Sequence, residues 1–96
     1  MRIIIRPFLS LRKKMGNQTS FEFQGESLIL RKVLENLSER YGLKTEELIP
    51  GPEATPEGNN IKILVNGRNY NLLPNSLGSE LQEGDEISLF PPMAGG

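Results

Sequence analysis

The chain has 96 residues, with 11 Lys and Arg against 12 Asp and Glu, a net charge of −1, and neither histidine nor cysteine. That length holds one domain with a modest core, and the balanced charge lacks the basic excess expected of a nucleic-acid binder. Without imidazole or thiol the chain has no Ser-His or Cys-His catalysis, no thiolate or imidazole metal site and no disulfide.

Met1 to Arg6 is rich in β-branched residues and reads as a strand. Period-2 alternation puts Ile3 and Ile5 on one face and Arg2, Ile4 and Arg6 on the other, wetter one. Charge and Pro7 interrupt this segment too early for a signal-peptide core. No apolar run approaches the ~18 residues of a membrane span, so a cytoplasmic location with no membrane partner is expected. Leu9 to Met15 reads as a short helical turn stopped by Gly16-Asn17, and Phe21 to Gln24 as a second strand with Phe21 and Phe23 inward.

Leu30, Val33, Leu34, Leu37 and Tyr41 form the apolar stripe of an amphipathic helix. Ser27 is its expected N-cap and Gly42 its C′ residue. Arg31, Lys32, Glu35, Glu39 and Arg40 lie on the opposite face and read as solvated surface. Thr45 to Leu48 reads as one more helical turn, and Pro50 to Asn60 as a loop on composition. Ile61 to Val65 is a third strand, Asn66-Gly67 a hairpin turn, and Arg68 to Leu72 the returning strand. Leu73 to Gly84 reads mostly as turn, with Leu77 and Leu81 tucked inward. Glu86 to Phe90 is the last strand, with Ile87 and Leu89 on one face and Ser88 and Phe90 on the other.

Two strands, a helix and then several short strands fit an α+β, ubiquitin-like β-grasp: a mixed sheet packed on one main helix. The expected domain spans residues 1–90, and residues 91–96 form a flexible tail. The expected core is Ile3, Ile5, Phe21, Phe23, Leu30, Val33, Leu34, Leu37, Ile63, Val65, Leu81, Ile87 and Leu89.

The sequence closes on Phe90-Pro91-Pro92-Met93-Ala94-Gly95-Gly96. Gly95 and Gly96 have no Cβ, so this end can enter a channel too narrow for other residues. Pro91 and Pro92 favour an extended exit, and the segment from Pro91 could reach roughly 20 Å. Phe90 and Ile4 fall on the sheet face turned away from the helix, and Phe8 joins them if alternation survives Pro7. Apolar groups there have no core to enter. They read either as scattered surface hydrophobes or, if contiguous, as a partner interface.

With these residues in view, the whole chain resembles the small sulfur carriers of the MoaD/ThiS type, and most closely the small subunit of molybdopterin synthase. The resemblance rests on the first strand with Phe8 and the Leu11-to-Gly16 turn, the Leu64-Val65-Asn66-Gly67 hairpin, Glu83-Gly84-Asp85-Glu86 and, most specifically, the Phe-Pro-Pro ending with its Gly-Gly. Met93 stands where the family usually has valine. Leu72 to Leu81 is longer than in the shortest members, so contacts in that segment do not carry over. Thiamin-pathway carriers usually lack the Pro-Pro pair, which argues against thiamin synthesis.

The resemblance implies a carrier that is not an enzyme by itself and binds no cofactor. Gly96 would be joined to AMP by an adenylating enzyme related to ubiquitin-activating enzymes, using that partner's ATP, and then converted to a thiocarboxylate. Gly95, Ala94, Met93, Pro92 and Pro91 would thread the partner's channel, and Phe90, Phe8 and Ile4 would dock. The sulfur would serve molybdenum or tungsten cofactor synthesis on the large subunit of molybdopterin synthase. Similar tails also occur on ubiquitin-like modifiers attached to lysines of target proteins. A third reading is a β-grasp interaction domain whose tail has no chemistry.

Overall fold

The computed structural model describes residues 1–17, 19–44, 48–49 and 61–91. Of the expected turn at Thr45 to Leu48 only Leu48 is described, and the loop at Pro50 to Asn60 and the tail from Pro92 to Gly96 lie outside the described residues. Five strands form one mixed sheet: β1 (Arg2–Pro7), β2 (Thr19–Glu22), β3 (Lys62–Val65), β4 (Arg68–Asn69) and β5 (Glu86–Phe90), in the order β2-β1-β5-β3-β4. A short helix α1 (Ser10–Met15) links β1 to β2, and the main helix α2 (Leu30–Tyr41) follows β2. β1 and β2 pair as an antiparallel hairpin, β5 returns parallel to β1, and β3 runs antiparallel to β5. This is the expected α+β β-grasp.

The core follows the two periodicities. Ile3, Ile5, Ile63, Ile87 and Leu89 from the sheet, and Leu30, Val33, Leu34 and Leu37 from α2, have no exposed surface. The other expected core residues are also buried. Tyr41 is half-buried and sets its ring edge-on to Phe21, with centroids 6.3 Å apart. Leu77 is half-buried against the core. Leu11, Met15, Leu28, Leu48, Ile49 and Ile61 extend the core beyond the expected set.

Besides the second strand, which spans Thr19–Glu22 rather than the expected Phe21 to Gln24, two local expectations are corrected. Ser27 does not cap α2. The N-cap is Ile29, and no side chain caps the helix. The incoming segment supplies the acceptor instead: Leu30 N–H donates to Ser79 O at 3.0 Å, beside an Ile29–Glu80 bridge, while Leu81 N–H donates to Leu28 O. Backbone groups of the Ser79–Leu81 segment thus do the work of a cap, and the Ser27 hydroxyl donates to Glu80 at 2.8 Å. At the other end Gly42 takes φ 66°, and its N–H and that of Leu43 return to Ser38 O.

The second correction concerns the strand after the hairpin. Asn66 and Gly67 both have positive φ, 54° and 84°, as a type I′ turn requires. The sequence pattern predicts a returning strand to Leu72, but β4 ends at Asn69. The Asn69 side chain accepts Asn71 N–H at 2.9 Å and turns the backbone into a 3₁₀ turn over Tyr70–Leu72. A local side-chain acceptor has outcompeted the ladder.

Candidate functional site

The sheet face away from α2 gathers the residues singled out near the tail. The N–H groups of Ile4 in β1 and of Phe8 just after it bond to Asp85 O and Leu89 O of the β5 side, both at 2.9 Å. The N–H that Pro7 lacks therefore points toward β2, whose pairing with β1 has already stopped at Ile5. Proline removes no needed donor there. Alternation survives Pro7, which is buried, and Phe8 arrives on the outer face.

Phe8 and Phe90 stack, with ring centroids 4.3 Å apart and planes 9° from parallel. Both are half-buried, as are Ile4 and Pro91. Ile4 shares their face but lies toward the other end of β5, opposite Glu86 in the register. Arg6 stands between Ile4 and Phe8 on β1 and pairs with Glu86 at 3.2 Å. The structure thus joins Phe8 to Phe90 and leaves Ile4 at the margin. Pro92, Met93, Ala94, Gly95 and Gly96 lie outside the described residues, so the face is described up to the root of the tail.

Several neighbours escaped the sequence reading. The guanidinium carbons of Arg6 and Arg12 each lie 5.7 Å from the Phe8 ring centroid, within cation–π range. Lys62 pairs with Phe90 and Leu64 with Ser88 in the β3–β5 register. Leu64 is visible in hindsight as the alternate residue between buried Ile63 and Val65. Arg12 follows Phe8 by one helical turn, a spacing that offered a weaker signal. Leu9 is 56% exposed and holds φ 54°, an uncommon conformation for a branched residue.

At the opposite end of β5 a polar clamp fixes the hairpin to the sheet. Asn66 Nδ2 donates to Asp85 at 3.0 Å, and Asn66 Oδ1 accepts Glu86 N–H at 2.9 Å. Asp85 also accepts Gln82 N–H at 2.8 Å. An open polar groove of about 490 Å³ lies beside this clamp, away from the tail root. Among the described residues no group of three or more His, Cys, Asp or Glu is placed to hold a metal ion, and no helix is long and apolar enough to cross a membrane.

The sequence profile of the ThiS family matches residues 8–96. The chain is 29% identical over 96 residues, all of both chains, to small archaeal modifier protein 3 of Haloferax volcanii. It is 35% identical over 81 residues to a protein of Archaeoglobus fulgidus named as a candidate sulfur carrier, covering 83% of this chain and 88% of that one. Among solved structures, the Pyrococcus furiosus protein named as a candidate subunit 1 of molybdopterin converting factor superposes with a TM-score of 0.75 at 26% identity, over 97% of this chain and 99% of that one. The fold alone recurs, with a TM-score of 0.58 at 24% identity over the full length of both chains, in the complex of subunits 1 and 2 of the Helicobacter pylori molybdopterin-converting factor.

Proposed function

The chain belongs to the ThiS family, β-grasp sulfur carriers and ubiquitin-like modifiers, and from that premise we propose that it carries sulfur as a thiocarboxylate on Gly96 for molybdopterin synthesis. The family match running through residue 96, and so through the Gly-Gly ending, is the observation that carries this reading. In the first step a Gly96 carboxylate oxygen attacks the α-phosphorus of ATP on an adenylating partner, and pyrophosphate leaves. A carboxylate resists nucleophiles because it is anionic and its leaving group is oxide. The acyl-adenylate replaces that with AMP. A sulfide-level nucleophile then adds at the acyl carbon and expels AMP, leaving the thiocarboxylate.

In this reading the chain contributes address and reach. The sheet face around Phe90 and Phe8 binds the partner, and Pro91 to Gly96 thread its channel. The sulfur would be used on the large subunit of molybdopterin synthase, a role supported by the subunit 1 name of the Pyrococcus furiosus structure. A second reading, conjugation of Gly96 to lysines of target proteins, is favoured by the full-length likeness to a small archaeal modifier protein. Both begin with the same adenylation. ATP–pyrophosphate exchange with the adenylating enzyme of the same genome tests that shared step. Exchange with the full chain and its loss when Gly96 is removed are expected; equal exchange by the shortened chain would overturn it.

A further inference from the structure

We propose that the open edge of β2, beside Arg40 of α2, binds an extended segment of a partner protein that carries apolar side chains at alternate positions and a carboxylate in line with them. This goes beyond the carrier reading and does not depend on it. β2 is an outer strand of the sheet. Just after it, Phe23 and Met1 exchange backbone bonds: Phe23 N–H donates to Met1 O at 2.8 Å, and the Met1 amino group donates to Phe23 O at 2.7 Å. Phe21 stands opposite Ile3, and Thr19 opposite Ile5. Bonded pairs alternate along an antiparallel ladder. Thr19, Phe21 and Phe23 therefore turn their backbone groups to β1, and Ser20 and Glu22 turn theirs outward. Among the described residues nothing bonds to the N–H or C=O of Ser20 or Glu22. Such a row of unpaired groups is a template for a further strand.

The helix side of this edge sets the chemistry of the occupant. Phe21 is buried there against the last turn of α2, with Tyr41 edge-on to its ring and the Arg40 guanidinium carbon 4.6 Å from its centroid. Tyr41 is half-buried and Arg40 exposed. The ring holds the guanidinium beside the strand, and among the described residues no carboxylate pairs with it. A residue added opposite Phe21 points to the same side. The aromatic surface there favours an apolar side chain, and the guanidinium favours a carboxylate at the next alternate position. On the outer side Arg2 is already paired with Glu22 at 3.7 Å, so the unmatched cation lies on the helix side. A second copy of the chain is a poor occupant, because pairing β2 with β2 would bring Arg40 toward Arg40. β1 separates this edge from β5, so an occupant here leaves Phe90 and the root of the tail uncovered.

The test uses a probe peptide, acetyl-Ser-Val-Ser-Ile-Ser-Asp-Ser-amide, whose two apolar residues and aspartate share one face of a strand. Its binding to the full chain is followed by residue-resolved amide hydrogen exchange. At saturation, exchange at the Ser20 and Glu22 N–H groups should slow by roughly tenfold or more, while the Phe21 N–H, already turned to β1, changes little. Arg40→Glu should weaken binding by about tenfold, the size of one lost charge-assisted hydrogen bond. A peptide with lysine in place of the aspartate should lose as much against the wild type and regain affinity for Arg40→Glu. Arg31→Glu, elsewhere on α2, should bind as wild type, and thermal melts should show both variants folded. No slowing at Ser20 and Glu22 with millimolar peptide, or a lysine peptide that binds the wild type as well as the aspartate peptide does, would overturn the proposal. Slowing at the same amides without peptide, growing with protein concentration, would assign the edge to a second copy and overturn it as well. None of these results touches Gly96, so the carrier reading stands or falls separately, through pyrophosphate exchange.

Discussion

Phe8 and Phe90 come from opposite ends of the described chain and lie ring on ring, 4.3 Å apart and 9° from parallel. The contact ties the exit of β1 to the last residue of β5, from which the tail departs. Backbone bonding reinforces it, since Phe8 N–H donates to Leu89 O and Lys62 pairs with Phe90 from the other side. The root of the tail is thus held by both neighbouring strands and by a ring stack.

Phe90→Ala should therefore show two separable effects. Loss of the stack and of partial burial should cost the free domain about 1–2 kcal/mol. Affinity for the adenylating enzyme should fall by at least ~2 kcal/mol, the range of an aromatic hot spot. Urea melts beside a binding titration measure both. A stability collapse with unchanged affinity per folded molecule would make Phe90 a structural residue only.

Leu34 is fully buried in the middle of α2, whereas Glu35 is partly exposed and sits 3.7 Å from Lys32 in a surface ion pair. Leu34→Ala should cost about 2–5 kcal/mol, a large share of the stability of such a domain. Glu35→Ala should cost under ~0.5 kcal/mol, as surface substitutions usually do. Equal losses in urea melts would contradict the packing described for α2.

The hairpin clamp makes a sharper prediction. Asn66→Gly keeps the positive φ but deletes the bonds to Asp85 and Glu86, and should cost about 1–3 kcal/mol. Asn66→Ala loses the same bonds and must also hold φ 54°, which adds about 1–2 kcal/mol. Chemical denaturation of the three proteins checks the order. An alanine variant as stable as the glycine variant would show that the turn relaxes.

Periodicity made most of the fold legible. The alternation of Ile3, Ile5, Ile87 and Leu89, and the 3.6-residue stripe from Leu30 to Leu37, each point to one face that water must leave. What stayed hidden depended on long-range partners. Ser27 has the chemistry of a cap, but the Ser79–Leu81 backbone arrives at the helix start, which no local pattern reveals. Asn69 ends β4 by a bond two residues ahead, in competition with a plausible strand. At the candidate site, alternation revealed Phe90 and Ile4. The stack with Phe8 needed the parallel β1–β5 register, and the cations around it needed β3 as well.

The most direct measurement of the central claim is the intact mass of this protein purified from its native cells, with its C-terminal peptide sequenced. The account predicts a population heavier by the difference between one sulfur and one oxygen, with the change confined to Gly96 and removed by alkylation and hydrolysis. An unmodified Gly96 in cells that contain the active adenylating enzyme, with this chain's glycine remnants found on lysines of other proteins, would contradict the sulfur-carrier account and leave the modifier in its place.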